Sequence, residues 1–380
     1  MRHAAQEGGR MIDFGEEWRR GQKLRNATDS ADAWSARAKR FDNTDKKSAY
    51  ADAFLERACI DPGAAVLDMG CGTGAVSLPL ARLGHRVCAA DFSEGMLEVL
   101  NAKAASIDAP LRPRTMRMAW EDDWDDFGMG EDAVDVAVAS RSLSTPDLEA
   151  ALRKLDRVAR TRCCITVATG ASPKLDEKLL AEIGVRPRSM HTHAFAVGIL
   201  SAAGREPVLS YIHSQRRDTF ATRDEAFAKF SGMIDGSGAC FAEGEREAAE
   251  RRLDVWIERH LVANETAGRP DSKGMPQKAF RLDTPRDVAW AFISWSTHGP
   301  WLLDTHRKRE ALRLTERPAA KAAAQDRLGA CDLLRRRHGR IPEWVRQMKC
   351  LVFVPRHRMI GQHLHALDRP QRSDEVRQPV

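Results

Sequence analysis

A doubly wound α/β fold built on a mostly parallel sheet is predicted by three observations. Short apolar runs of strand length alternate with helical patterns between residues 64 and 168. The connections between them are short, as in a sheet covered by helices on both faces. The first run leads straight into a glycine-rich turn, Gly70-Cys71-Gly72-Thr73-Gly74, with a helical pattern behind it.

The elements follow in order. Residues 11–46 are polar with scattered aromatics (Phe14, Trp18, Trp34, Phe41) and suit one or two short helices. Residues 1–10 carry no periodic pattern, so translation from either Met1 or Met11 is compatible with the sequence. Tyr50, Phe54, Leu55 and Ala58 recur at helical spacing within Lys47–Ile60, and Asp61-Pro62-Gly63 ends that helix. Ala64–Met69 is a buried strand, Gly74–Leu83 a helix closed by Gly84, Arg86–Ala90 a second strand and Glu94–Ala105 a second helix. Leu111–Met118 is a third strand, followed by an acidic loop over 121–126. Val134–Ala139 and Cys163–Ala168 are the fourth and fifth strands, with a helix at Pro146–Ala159 between them.

After Pro173 the pattern turns helical, at 174–183, 192–203, 222–234 and 243–262, with a strand near Val208–His213. Val288–Trp295 reads as a final strand. Ala319–Leu334 has helical periodicity and Cys350–Val354 suits a strand, without a recognisable fold. The organisation is thus an N-terminal helical or cap segment (1–46), a central domain (47–296) with a helical cover inside 174–262, and an extension (297–380). The extension suits a small module, an oligomerisation arm or a loosely ordered tail.

Composition narrows the class. Of the 380 residues, 43% are hydrophobic and 30% charged, the proportions of a soluble globular protein. No apolar run approaches the roughly 20 residues of a membrane span, and the first ten residues do not resemble a secretion signal. Eight scattered cysteines form no C-x-x-C pair, which argues against zinc, iron–sulfur clusters and a disulfide framework and for a reducing cytoplasm. The net charge of +6 is unevenly placed: residues 301–380 hold 18 basic and 9 acidic residues, whereas 1–300 hold 42 and 45. Nucleic acid therefore enters as a partner only through the basic tail.

The glycine turn carries the chemistry. Glycines at 70, 72 and 74 let the backbone bend sharply and approach a ligand, and a helix start adds unpaired N–H groups. Asp91 ends the second strand, where a carboxylate can accept both hydroxyls of a ribose. It is also placed to cap the helix at 94–105, as is Ser93. Asp68 sits inside the first strand's end and can take an ammonium, where a pyrophosphate would be repelled. The G-x-G-x-G spacing also differs from the G-x-G-x-x-G of dinucleotide sites.

Val66-Leu67-Asp68-Met69-Gly70-Cys71-Gly72-Thr73-Gly74, with Val87-Cys88-Ala89-Ala90-Asp91-Phe92-Ser93-Glu94-Gly95-Met96-Leu97, resembles the class I, Rossmann-like S-adenosylmethionine-dependent methyltransferase family. The resemblance covers roughly residues 30–296. It implies a seven-stranded sheet whose last strand, Val288–Trp295, is antiparallel. It implies S-adenosylmethionine as cofactor and methyl transfer to an O, N, S or C nucleophile. Asp68, Gly70, Cys71, Gly72, Thr73 and Gly74 would hold the methionine part and Asp91 the ribose. Phe92 and Met96 would line the adenine pocket, Ser140 would join the cofactor set, and Trp120 with Glu121 or Asp122 would meet the adenine end.

The acceptor is expected near Ser140-Arg141-Ser142. Arg141 suits an acidic acceptor or a surface salt bridge; His191 and His193, with Tyr211 and His213, come from the segment that should roof the site. Two histidines without cysteine or carboxylate neighbours in sequence are not read as a metal site. No catalytic residue is assigned, because a general base matters only if the acceptor loses a proton. Ala139-Ser140-Arg141-Ser142 stands where DNA-base amino methylation would place Asn/Asp-Pro-Pro-Tyr, and no Pro-Cys nucleophile is present there. A helical cover favours a small-molecule acceptor. The competing readings are an RNA or protein acceptor guided by the tail, and a non-catalytic cofactor-binding regulator.

Overall fold

A computed structural model describes residues 12–23, 30–41, 48–187, 191–271, 274–299 and 301–302 of the chain. The elements expected at Ala319–Leu334 and Cys350–Val354 lie outside the described residues. Helices α1 (Phe14–Lys23) and α2 (Ala31–Phe41) precede α3 (Ala49–Ala58), which Ser48 caps by accepting the Ala51 amide. Then come β1 (Ala65–Met69), α4 (Ser77–Arg82), β2 (Arg86–Asp91), α5 (Glu94–Ser106), β3 (Arg114–Arg117), a 3-10 turn at Trp124–Phe127, β4 (Val134–Ser140), α6 (Leu148–Val158) and β5 (Ala159–Ala168). A short hairpin, β6 (Ala171–Ser172) and β7 (Leu175–Asp176), leads to α7 (Glu177–Glu182), α8 (Thr192–Ala202) and β8 (Val208–Arg216). The described elements end with β9 (Thr219–Phe220), α9 (Arg223–Gly236), α10 (Glu245–His260), β10 (Leu261–Ala263), β11 (Phe280–Leu282) and β12 (Arg286–Ser296).

Seven strands form one sheet in the order β3-β2-β1-β4-β5-β12-β8. The first five are parallel, and β12 runs antiparallel to both β5 and β8. This is the doubly wound, seven-stranded arrangement expected from the sequence, including the reversed strand over Val288–Trp295. The central strands are continuous apolar runs because both faces are covered. On one face, Phe54 and Ala58 of α3, Leu78 and Leu80 of α4, and Leu97 and Leu100 of α5 pack on Val66, Val87, Val138 and Phe292. On the other, Trp18 of α1, Leu148, Leu152 and Leu155 of α6, and Ile199 and Leu200 of α8 pack on Leu67, Ala137, Ile165 and Trp295.

Two expectations change here. The helix after the glycine turn begins at Ser77, not Gly74. Pro79 has no N–H to donate and so belongs in a helix's first turn. The expected helical cover over 174–262 also divides. Helix α8 joins the sheet's own helical layer, and Val208–Arg216 is the sheet's edge strand, with only Ile212 buried. The remaining part is a small α/β unit in which α7, α9 and α10 share a core with Phe220 and Leu282 from a three-stranded sheet β10-β11-β9. Strands of two or three residues leave no periodic signal, which is why this segment reads as helical from sequence.

Buried ion pairs fasten these parts. Arg286 reaches Asp176 Oδ2 at 2.8 Å, Asp218 Oδ2 at 3.1 Å and the Ser172 carbonyl at 2.9 Å, tying β12 to the small unit. Burial raises the Asp218 pKa, but Lys229 and Arg216 together hold it below the ordinary value. Beneath the other helical layer, Asp156 accepts bonds from Arg205 Nε (2.8 Å), Arg205 Nη2 (2.6 Å) and Trp295 Nε1 (2.9 Å). Both charged partners are buried. Removing one strands the other, so Asp156→Ala should lower stability by about 3–5 kcal/mol in urea denaturation. The double substitution Asp156→Leu with Arg205→Met should restore most of that loss. A single-variant loss below about 1 kcal/mol would contradict this role.

Candidate functional site

The carboxyl end of β1 places Asp68 in the middle of the sheet, 1% exposed. Its Oδ2 accepts the Ser77 hydroxyl at 2.5 Å, while Oδ1 is buried with no hydrogen-bond partner among the described residues. Burial pushes this carboxyl up to about 6; the Ser77 bond opposes the shift and the nearby Asp91 charge adds to it. A half-satisfied carboxylate at this depth is costly unless a cation joins it.

The glycine turn is pinned to β2. The amides of Gly70 and Cys71 both donate to the Ala90 carbonyl (2.7 and 3.0 Å), and the Gly72 amide donates to Asp91 Oδ2 at 2.8 Å. Gly70, Gly72 and Gly74 all have positive φ, but they serve different ends. A Cβ on Gly70 would collide with the Ser142 side chain, and one on Gly74 would press on Leu78 and Leu100. A Cβ on Gly72 would meet nothing within 4 Å. Gly72 is therefore the glycine whose bare face is turned toward open space. Cys71 and Thr73 are buried in the turn, and burial, with Asp68 and Asp91 adding, raises the Cys71 thiol far above its ordinary value. That thiol is packing and not a nucleophile.

Asp91 accepts the Gly72 amide on one oxygen and the Ser93 amide at 2.9 Å on the other. Burial still raises its pKa against those bonds. Ser93, not Asp91, caps α5, through the Met96 amide at 3.3 Å. From sequence, either residue could fill that role. Met96 is buried and Phe92 half-buried beside this turn. Helix α2 approaches the same place: Ser35 Oγ lies 2.9 Å from Ser93 Oγ and accepts the Gly95 amide at 3.4 Å.

After β3, Trp120 Nε1 donates to the Ser142 carbonyl at 3.1 Å, and its ring lies 5.6 Å from that of Trp124. Asp122 uses its carboxylate to accept the Ala119 amide at 2.8 Å, while Glu121 is exposed. Of the two competing acids, Asp122 shapes the turn and Glu121 keeps its carboxylate outward.

The Ser140-Arg141-Ser142 segment joins several elements. Ser142 Oγ donates to the Met69 carbonyl at 2.7 Å. Ser140 Oγ lies 2.8 Å from the Tyr50 hydroxyl, which also lies 2.5 Å from Thr166 Oγ1. Arg141 stacks its guanidinium over the Tyr50 ring at 4.0 Å and lies 5.7 Å from the Trp290 ring. Burial raises the Tyr50 phenol, although Arg141 and the two hydroxyls oppose the shift. Tyr50, Thr166 and Trp290 are site neighbours that sequence reasoning passed over. Tyr50 was visible only as one residue of an apolar helical stripe.

His191 and His193 start α8, with rings 5.6 Å apart, and His193 lies 6.0 Å from Tyr211. His191 Nε2 lies 3.8 Å from Glu177 Oε1, a carboxylate neighbour that the sequence spacing did not reveal. Burial, aided by His191, lowers the His193 pKa, and its Nδ1 has no partner among the described residues. His213 and Tyr211 are exposed on edge strand β8. A groove of about 750 Å³, lined in part by Cys59, Thr161, Arg162 and Ser296, opens at the opposite, amino-terminal end of β5 and includes none of these residues.

Residues 66–162 match a family model described as a methyltransferase domain. An uncharacterized protein of Haemophilus influenzae is 28% identical over 251 residues, 66% of this chain and 83% of that protein. Malonyl-[acyl-carrier protein] O-methyltransferase of Serratia marcescens is 33% identical over 117 residues, 30% of this chain and 42% of the relative. Among solved structures, the YcgJ protein of Bacillus subtilis aligns with 66% of this chain and 99% of its own, at 16% identity and a TM-score of 0.39.

The geometry at Asp68 has a consequence for stability. Its pKa is near 6 in the folded chain against 3.8 as the ordinary value, so folding favours the protonated form. The chain should lose stability at this residue as pH rises from about 4 through 6, a cost on the order of 3 kcal/mol by pH 8. Asp68→Asn should therefore raise the denaturation midpoint at pH 8 and leave it nearly unchanged at pH 4. An equal shift at both pH values, or a loss at pH 8, would contradict the burial argument.

Proposed function

We propose, from the methyltransferase-domain match over residues 66–162, that the chain is a class I, S-adenosylmethionine-dependent methyltransferase that methylates a small-molecule acceptor at the carboxyl end of β4 and β5. The observation that carries the site is the buried Asp68 Oδ1, without a partner among the described residues, at the strand end that leads into the glycine turn. An amino-acid cofactor brings an ammonium, which is the partner that carboxylate lacks. The residues present fit the group.

In this reading Asp68 takes the ammonium, while the turn Gly70-Cys71-Gly72-Thr73-Gly74 and Ser140 surround the methionine part. Asp91 presents its remaining lone pairs to the ribose, with its orientation already set by the Gly72 and Ser93 amides. Phe92, Met96 and Trp120 border the base, and Glu121 is the acid free to meet its amino group. Bound there, the cofactor supplies an electrophilic methyl on a sulfonium sulfur. The chain's contribution is then mainly alignment, since a near-attack geometry removes most of the entropy cost of bringing two reactants together. Tyr50, bonded to Ser140 and Thr166, shapes the wall of the acceptor side in this reading.

Two contacts support a small acceptor. Ser35 of α2 meets Ser93 and Gly95 beyond β2, and Tyr50 of α3 meets Ser140, the last residue of β4, and Thr166 near the end of β5. In this reading the two helices border the site, which suits a molecule that enters whole more than a polymer.

Incubation with methyl-labelled S-adenosylmethionine and a fractionated metabolite extract should place label in a small-molecule fraction. Label confined to RNA or protein would overturn the acceptor class, and tight cofactor binding without any transfer would overturn the activity. Asp68→Ala should weaken S-adenosylhomocysteine at least about 100-fold by calorimetry, as expected when a buried ion pair loses a partner. For the unaltered chain the affinity should fall roughly tenfold per pH unit below about 6, as Asp68 takes up a proton. Affinity independent of pH between 5 and 7 would refute the assignment.

A further inference from the structure

Arg141 stands out among the charged residues near the site. Its φ is 59°, a left-handed conformation that residues with a Cβ avoid. The backbone is held there by its own amide, which donates to both the carbonyl and the Oγ1 of fully buried Thr166, each at 3.1 Å. The side chain, although exposed, lies on an aromatic ring. Its guanidinium carbon sits 4.0 Å above the Tyr50 ring centroid, and the Tyr50 hydroxyl is anchored by Ser140 and Thr166. Stacking on an aromatic face occupies the flat side of a guanidinium and leaves its N–H edge to bind something else.

Among the described residues no acidic side chain lies within ion-pair distance of that edge, whereas the buried Arg205 and Arg286 each hold an aspartate. The Tyr50 hydroxyl feels the charges of both Arg141 and Asp68, so the arginine faces the same end of the sheet as the cofactor carboxylate.

Resting on the methyltransferase reading above, we propose that Arg141 is an oxyanion-binding residue for the acceptor, and that the acceptor is a small molecule bearing a carboxylate or phosphate. The guanidinium edge offers paired N–H donors in the geometry those groups accept. The anion acts as a handle: it fixes the acceptor beside Ser140 while a separate nucleophilic atom forms the bond to the methyl carbon. The carbon–sulfur bond breaks as that bond forms, its electron pair stays on the neutral thioether, and any acceptor proton leaves to solvent.

The experiment has two arms. In the first, an extract is separated on an anion exchanger before incubation with methyl-labelled S-adenosylmethionine. Label should appear only in retained fractions, and methylation of the labelled fraction at low concentration should fall about 10- to 100-fold in Arg141→Gln, the range for a lost charged hydrogen bond. Label in the unretained fraction would overturn the proposal while leaving the methyltransferase reading intact; no label in any fraction would overturn both. In the second arm, calorimetry compares S-adenosylhomocysteine with 5′-methylthioadenosine, which lacks the amino-acid end. Arg141→Gln should bind each within about twofold of the unaltered chain. A selective loss of S-adenosylhomocysteine would overturn the proposal by assigning the arginine to the cofactor's own carboxylate. If the variant does not fold, the retained or unretained position of the label in the unaltered chain still decides.

Discussion

A carboxylate at the end of β1, with one oxygen bonded to Ser77 and the other without a partner among the described residues, sets the terms for everything around it. Asp68 is flanked on both sides by parallel strands and is almost fully buried. Burial drives it toward the protonated form, and the neighbouring Asp91 pushes the same way. Such an arrangement is unfavourable for the fold alone. In the proposed reading a cationic group beside Oδ1 offsets that cost, so one aspartate would both burden the fold and anchor the cofactor.

Within the glycine turn, open space lies at Gly72. The turn is held by the Ala90 carbonyl and by Asp91, not by contacts across the space itself. Gly70 lets Ser142 come close beneath the turn, and Ser142 in turn carries the indole of Trp120. The ends of β1, β2, β3 and β4 are thereby locked to one another by hydrogen bonds, with Gly72 left facing outward. Ion pairs deeper in the molecule, Asp156–Arg205 and Arg286 with Asp176 and Asp218, fix the helical layer and the small α/β unit against that frame.

Much of this was legible in the sequence because it is local. Strands β1, β2, β4 and β5, the glycine turn, Asp68 and Asp91 all lie between Ala64 and Ala168, in one unbroken alternation of apolar runs and helical patterns. The parts that escaped are long-range. Tyr50 meets Ser140 across 90 residues and Thr166 across 116, and no periodic pattern records such pairs. Ser77 as the partner of Asp68 was hidden because the helix was expected to begin at Gly74. The strands of the small unit were missed because two or three residues carry no alternation. Arg141 was visible as a candidate, but the Tyr50 ring beneath it was not.

The central claim is that Asp68 gains a cationic partner when S-adenosylhomocysteine binds, and proton release measures this most directly. Calorimetry at pH 6 in buffers of different ionisation enthalpy should show about half a proton released per binding event, because a carboxyl near half protonation becomes fully ionised. Release should vanish at pH 8. Binding at pH 6 with no proton released, or with protons taken up, would contradict the account.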